Sequence, residues 1–310
     1  MLKSIGAAAL AAIAAVSAAQ AAPAAQSQAN EVVITGRRSG VPLWTVRSDQ
    51  TTLVLVGAIE DVSKTTYWDP AALTEALRKA DRLMFPEMQE FTASPFKMIG
   101  WLAKWKAMAS LPKGQSLGQY AGPDEIRRLA ALAAKGAVRR DYQRRHPFHL
   151  AIELRDKAKG DIKYGKTVYQ LTRAVAHQYK LTLVPIARSK AKPLARDLFT
   201  STPGEHMPCL MAAIAMAEAG PAAVQARSDA WAARRVPDVL RSPADGVHQS
   251  CWPADYIGRP SAELTGQMKQ LLAEPQVTVA VLSLRSVAET GGLLDQLEAA
   301  GYDIQGPAWK

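Results

Sequence analysis

Residues 43–61 read Leu43-Trp44-Thr45-Val46-Arg47-Ser48-Asp49-Gln50-Thr51-Thr52-Leu53-Val54-Leu55-Val56-Gly57-Ala58-Ile59-Glu60-Asp61. Two β-rich runs flank the turn-forming Ser48-Asp49-Gln50, which is the pattern of a hairpin. The second run, Thr51 to Val56, is apolar without alternation and therefore suits a strand buried on both faces. It ends at Gly57 and hands the chain to Glu60 and Asp61, and chemistry in α/β folds collects at such strand ends. Moving outward, Asp69-Pro70 opens a helix with Leu73, Ala76, Leu77 and Ala80 on one face. The short strand Leu83-Met84-Phe85 follows and delivers Glu87. From Pro95 to Gly160 the pattern is helical, broken at Leu111-Pro112-Lys113-Gly114 and again at His146-Pro147. A further helix spans Val168 to Tyr179, a strand Leu181 to Val184, and helices run from Glu205 to Arg241. The tail reads helix, strand, helix, strand over 261–273, 277–284, 291–300 and 302–304. Strands at both termini bracket a long helical middle, so a terminal strand must return to pair with the first ones. The expected class is α/β (α+β): a central mixed sheet formed by N- and C-terminal strands and flanked by many helices.

The chain has 310 residues, 38 Lys+Arg against 28 Asp+Glu, two cysteines and 48 % apolar content, a composition that excludes disordered, collagen-like and cysteine-stapled classes. Thirteen of the first 25 residues are alanine. Lys3, the apolar run Ile5–Ala19 and the small-x-small Ala19-Gln20-Ala21 make residues 1–21 a secretory signal. As a helix that run covers only ~22 Å, short for a bilayer core of ~30 Å. Residues 22–41 read as a flexible linker and 42–310 as a single domain with a helical insertion at about 95–180. The expected location is periplasmic or secreted, with no transmembrane segment after signal removal. In an oxidising compartment the simplest state of Cys209 and Cys251, 42 positions apart, is one disulfide, two separate buried thiols being the alternative. Removing Lys3 lowers the formal charge from +10 to +9. Residues 124–166 hold 12 basic and 6 acidic side chains, a helical region whose default is a solvated face, and export makes nucleic acid an unsuitable partner.

Four segments together resemble the TraB/GumN family, which is related to the Tiki proteases and similar in fold to erythromycin-esterase-like and ChaN-like proteins. They are Pro42-Leu43-Trp44-Thr45-Val46 leading to the Gly57 strand end, Ala80-Asp81-Arg82-Leu83 through Glu87, Leu111 to Leu117, and Gly291-Gly292-Leu293-Leu294 through Gly301-Tyr302. The resemblance covers about residues 42–306. It implies a metal-dependent hydrolase with a G-x-x-H after the first long strand and a second His motif after the last. Here the first is Gly57-Ala58-Ile59-Glu60, and in the second Arg285 or Ser286 stands where the His would be. A Gly-Leu-Glu element after the mid-chain strand becomes Pro185-Ile186-Ala187 followed by Arg188, so Glu87 alone survives of the central set.

A divalent transition metal wants neutral imidazole and carboxylate ligands, and this chain substitutes guanidinium for them. The expectation is therefore a degenerate site, with no confident catalytic or metal residue and the candidates Glu60, Asp61, Glu87 and Arg285. Glu60 or Glu87 is expected to pair with Arg285 or Arg188 as a buried ion pair; a carboxylate cluster of Glu60, Asp61 and Glu87 holding a hard divalent cation is the other outcome. His146-Pro147-Phe148-His149 with Glu153 has the spacing of a metal half-site, but Pro147 suits a first helical position with His146 as its cap. His177, His206 and His248 read as solitary. Trp101 and Trp105, with Met98, Leu102 and Met108, read as a core stripe. Arg227, Asp229, Trp231 and Arg234-Arg235 could line a groove, with Arg227 on Trp231 at i+4 as the default. No cofactor is expected. The functional expectation is an exported, non-catalytic binding or regulatory protein whose partner is an envelope protein or glycan. The alternatives are a metal-dependent hydrolase or peptidase with altered ligands, and a binder of anionic envelope glycan or lipid.

Overall fold

The computed structural model describes residues 40–85, 95–186, 198–251 and 262–310. Residues 1–39, which include the stretch 1–21 expected to be a signal, and the candidate residues Glu87 and Arg188 lie outside the described residues, as do the side chains of Met98, Trp101 and His248.

Strand β1 (Leu43–Arg47) turns into β2 (Thr52–Ala58) through Ser48, whose Oγ accepts from the backbone N–H groups of Gln50 and Thr51. The pair is antiparallel, with Leu43 opposite Val56 and Arg47 opposite Thr52. All seven residues of β2 are buried, as a run without alternation requires. Helix α1 (Ala71–Lys79) follows, its first backbone N–H held by Asp69 Oδ1 at 2.9 Å, so the cap lies one residue ahead of Pro70. Strand β3 (Arg82–Phe85) precedes the helical middle: α2 (Pro95–Ala107), α3 (Pro123–Ala134), α4 (Pro147–Ala158) and α5 (Val168–Tyr179). Strand β4 (Thr182–Pro185) comes next. The long α6 (Met207–Ala232), α7 (Val236–Arg241), α8 (Pro243–Cys251) and α9 (Ala262–Leu272) lead to β5 (Thr278–Ser283), α10 (Leu284–Ala288), α11 (Leu293–Ala299) and β6 (Asp303–Gln305).

The tail returns as the termini demanded. The six strands run β4-β3-β5-β2-β1-β6. β5 lies parallel to both β2 and β3, β4 parallel to β3, and β6 antiparallel to β1. The class is thus α/β with a mixed sheet. Because β2, β5, β3 and β4 point the same way, their C-terminal ends share one edge.

Two apolar clusters divide the chain. One wraps the sheet and includes Trp44, Leu55, Leu77, Trp231, Val279 and Leu294. The second joins α3, α4, α6 and α8 through Leu129, Phe148, Leu154, Leu210, Ile214 and Val247. The stretch Pro203–Ala232 has the length and hydropathy of a membrane-crossing helix. It is not one straight rod, however, since Gly220 adopts φ 67° ahead of Pro221 and breaks it, and its buried residues are divided between the two clusters.

Trp105 is half-buried against Phe148, but Leu102, expected in the same core stripe, is 67 % exposed. Helical spacing names a common face without saying whether anything covers it.

Candidate functional site

At the shared strand edge the last residues of β2 and β5, Ala58 and Ser283, are register partners. The segments that leave them carry Glu60 and Asp61 on one side and Arg285 and Ser286 on the other. The helical cluster faces them with Arg155 of α4, Tyr164, Arg227 of α6 and Asp245 of α8, enclosing a cavity of about 70 Å³. Backbone chemistry fixes this corner. Gly57 N–H donates to Pro42 O at 2.9 Å, and the indole Nε1 of Trp231 donates to Gly57 O at 2.9 Å. A side chain at Gly57 would meet Leu284 Cδ1 at 2.4 Å and the Trp44 ring at 2.9 Å, so β2 has to end on glycine for α10 to start where it does.

Asp245 sits at the centre. Its Oδ1 accepts from Arg227 Nε and Nη2 at 3.0 and 2.7 Å, and its Oδ2 from Arg285 Nε and Nη2 at 2.9 and 2.5 Å. Arg285 Nη2 also donates to Leu240 O at 2.9 Å, and its Nη1 lies 3.7 Å from Glu289. The side chains of Asp245 and Arg227 are 8 % and 9 % exposed. Burial by itself would raise the Asp245 carboxyl, but the two guanidiniums outweigh it and hold Asp245 below the usual carboxylate range. Two bidentate clamps on one carboxylate satisfy a charge that would otherwise be costly to bury. Nearby, Ser283 Oγ caps α10 by accepting from Ser286 N–H at 3.1 Å, and the two hydroxyls lie 2.5 Å apart. Tyr164 titrates above its ordinary value, through burial and then the charge of Asp61.

Arg285 takes a partner that was not expected, Asp245, while Glu60 is exposed at the mouth with Asp61 and the other expected members, Glu87 and Arg188, lie outside the described residues. Arg227 likewise reaches Asp245, eighteen residues on, rather than stacking on Trp231, whose indole serves the β2 terminus and meets Trp68 edge-on at 5.4 Å. Asp229 of the same cluster accepts from Thr66 Oγ1 at 2.6 Å. Sequence reasoning missed Asp245 altogether. As an acid in the first turn of a helix behind Ser242-Pro243, it carries the signature of a capping residue, and no spacing rule links it to Arg227 or Arg285.

The divalent metal that the resemblance implies does not fit the described residues. Asp245 has both oxygens engaged by guanidinium, Glu60 and Asp61 are exposed, and two arginines place positive charge where a cation would sit. Among the described residues no group of three His, Cys, Asp or Glu could hold a metal ion. The His146, His149 and Glu153 half-site is also resolved otherwise. His146 Nδ1 caps α4 by accepting from Phe148 N–H at 3.3 Å, and Glu153 pairs with Arg145 at 3.5 Å. Cys209 and Cys251 form a disulfide, and Cys251 lines the cavity. His206, which reads as solitary, packs its ring 5.1 Å from that of His146.

Compared with known proteins, residues 42–306 match a model of the TraB/PrgY/gumN family. No curated protein and no solved structure matches the chain.

Proposed function

The chain belongs to the TraB/PrgY/gumN family, and from that premise we propose that it is a non-catalytic member, a binding or regulatory protein of the cell envelope. The observation that carries this reading is the clamp of Arg285 and Arg227 on Asp245. By the resemblance, Arg285 or Ser286 stands after β5 where the family pattern has a histidine, and Glu60 stands after β2 where it has the other. A guanidinium engaged on a buried carboxylate can neither ligate a metal nor accept a proton near neutral pH. What remains at the strand edge is a cavity with mixed polar and apolar walls, a place to bind rather than to react. Export to the periplasm or beyond is supported by the signal-like residues 1–21 and by the Cys209–Cys251 disulfide, a bond that persists in oxidising compartments.

Elemental analysis of the purified chain, together with peptide and ester panels run with added Mn²⁺, Co²⁺ or Zn²⁺, tests the reading. The expected result is sub-stoichiometric metal and no turnover above the protein-free rate. Stoichiometric metal, or turnover abolished by Glu87→Ala, would overturn it in favour of a hydrolase with altered ligands. Sequencing the N-terminus of the exported form should find Ala22 first.

A further inference from the structure

Away from the cavity, three histidines meet under the second apolar cluster. His146 caps α4, His149 lies one turn on, and His206 ends the short 3-10 segment Pro203–His206 that leads into α6. The His146 and His206 rings are 5.1 Å apart, Phe148 lies 5.3 Å from His206, and Trp105 of α2 covers His149 at 4.4 Å. His146 is 4 % and His206 8 % exposed. His149 packs on the Trp105 ring and His206 on the Phe148 ring. The Nε2 atoms of both are buried with no hydrogen-bond partner. A proton arriving there would create a cation without an acceptor, beside a second ring ready to do the same.

We propose that the His146, His149 and His206 cluster is an acid-sensitive latch that holds residues 198–206 and α2 on α4 while neutral and releases them when protonated. The charged groups around it leave the latch free to act in that direction. Arg145, from the α4 side, opposes a charge on His149 and is itself held by Glu153. Glu205 favours a charge on His206, but its carboxylate is engaged in capping Thr202. Lys104 and Lys106 of α2 are exposed, and the first turn of α6 carries no acid. Burial, followed by the neighbouring His206 and His149, lowers His146 to about 4, and burial lowers His149 and His206 as well. Each ring is therefore neutral when packed and takes a proton more readily once released, at about 6.5. The closed state is fully favoured above that value and is lost as pH falls from about 6.5 toward 4. Release begins three residues from Cys209, whose disulfide partner Cys251 lines the cavity, so the latch adjoins the binding site.

Hydrogen exchange on the full chain, corrected for intrinsic rates, tests the latch between pH 7.5 and 4. Protection of residues 198–207 and 105–108 should fall about 10-fold per pH unit for every proton taken up, while residues 53–57 and 279–282 keep theirs. The variant His146→Gln, His149→Gln and His206→Gln combined should stay protected across the range. Flat protection in the wild type, loss at the same pH in the variant, or loss in step with β2 and β5 would each overturn the proposal. Should the variant not fold, carbon-13 histidine titration of the wild type decides it: three rings resisting protonation well below 6.5 support the latch, and rings titrating at that value sink it.

Discussion

Gly57 and Asp245 show how single residues set the site. At Gly57 the Leu284 methyl and the Trp44 ring leave no room for a β-carbon. Gly57→Ala is expected to cost about 1–3 kcal/mol through overpacking and to displace the start of α10, and with it Arg285; denaturant melts measure the first. Asp245 is the more consequential position. Asp245→Asn removes the charge shared by the buried Arg227 and the half-buried Arg285, and an uncompensated buried charge costs about 3–5 kcal/mol. Replacing Arg227, Asp245 and Arg285 together by Met, Leu and Met should lose less than Asp245→Asn alone, because a buried ion cluster is worth far less than the penalty for breaking it. A triple variant less stable than the single one would show that the clamp does more than neutralise itself.

Among the elements, α6 bears the most roles. Its N-terminal piece carries Cys209 and follows His206; its C-terminal piece carries Arg227 and Trp231; Gly220 and Pro221 divide the two. With φ 67° and ψ −164°, Gly220 occupies a region that is essentially glycine's alone and costs other residues roughly 1–3 kcal/mol, so Gly220→Ala should lower stability by about that amount in thermal or denaturant melts even though no atom lies within 4 Å of its missing side chain. The break lets one half of α6 pack on α4 while the other turns to present Arg227 to α8 and an indole to β2. β5 and α10 show the complementary device. Six buried or half-buried residues end at Ser283, whose hydroxyl caps the helix that begins with Leu284 and Arg285, so the cation is fixed by the strand it follows.

The whole molecule has two apolar cores of different kinds, a sheet core of mostly aliphatic strands and a helical core pinned by one disulfide. Closing a loop of 42 residues is worth about 4 kcal/mol on the chain-entropy model, and reduction should weaken the helical core first. Exchange in α4 and α6 should therefore rise on adding reductant before exchange in β2 and β5; simultaneous loss would mean a single cooperative unit. Within the basic region 124–166, Arg127, Arg128, Arg139 and Arg145 pair with Asp124, Glu218, Asp141 and Glu153.

By itself the sequence determined the hairpin, the buried β2, the cap at His146 and the return of the tail strands, because turn chemistry, apolar runs and helix caps act over a few residues. The resemblance also placed Glu60, and Arg285 or Ser286, where the family pattern has histidines, at strand ends legible from hydropathy. Only the tertiary structure decided what Arg285 touches. Asp245 is 40 residues away and Arg227 another 18, and a buried ion pair depends on which helices the core brings together, which no local signal encodes. The same holds for His206 beside His146: each ring obeys its own helix end, and their meeting is a property of how α4 and α6 pack.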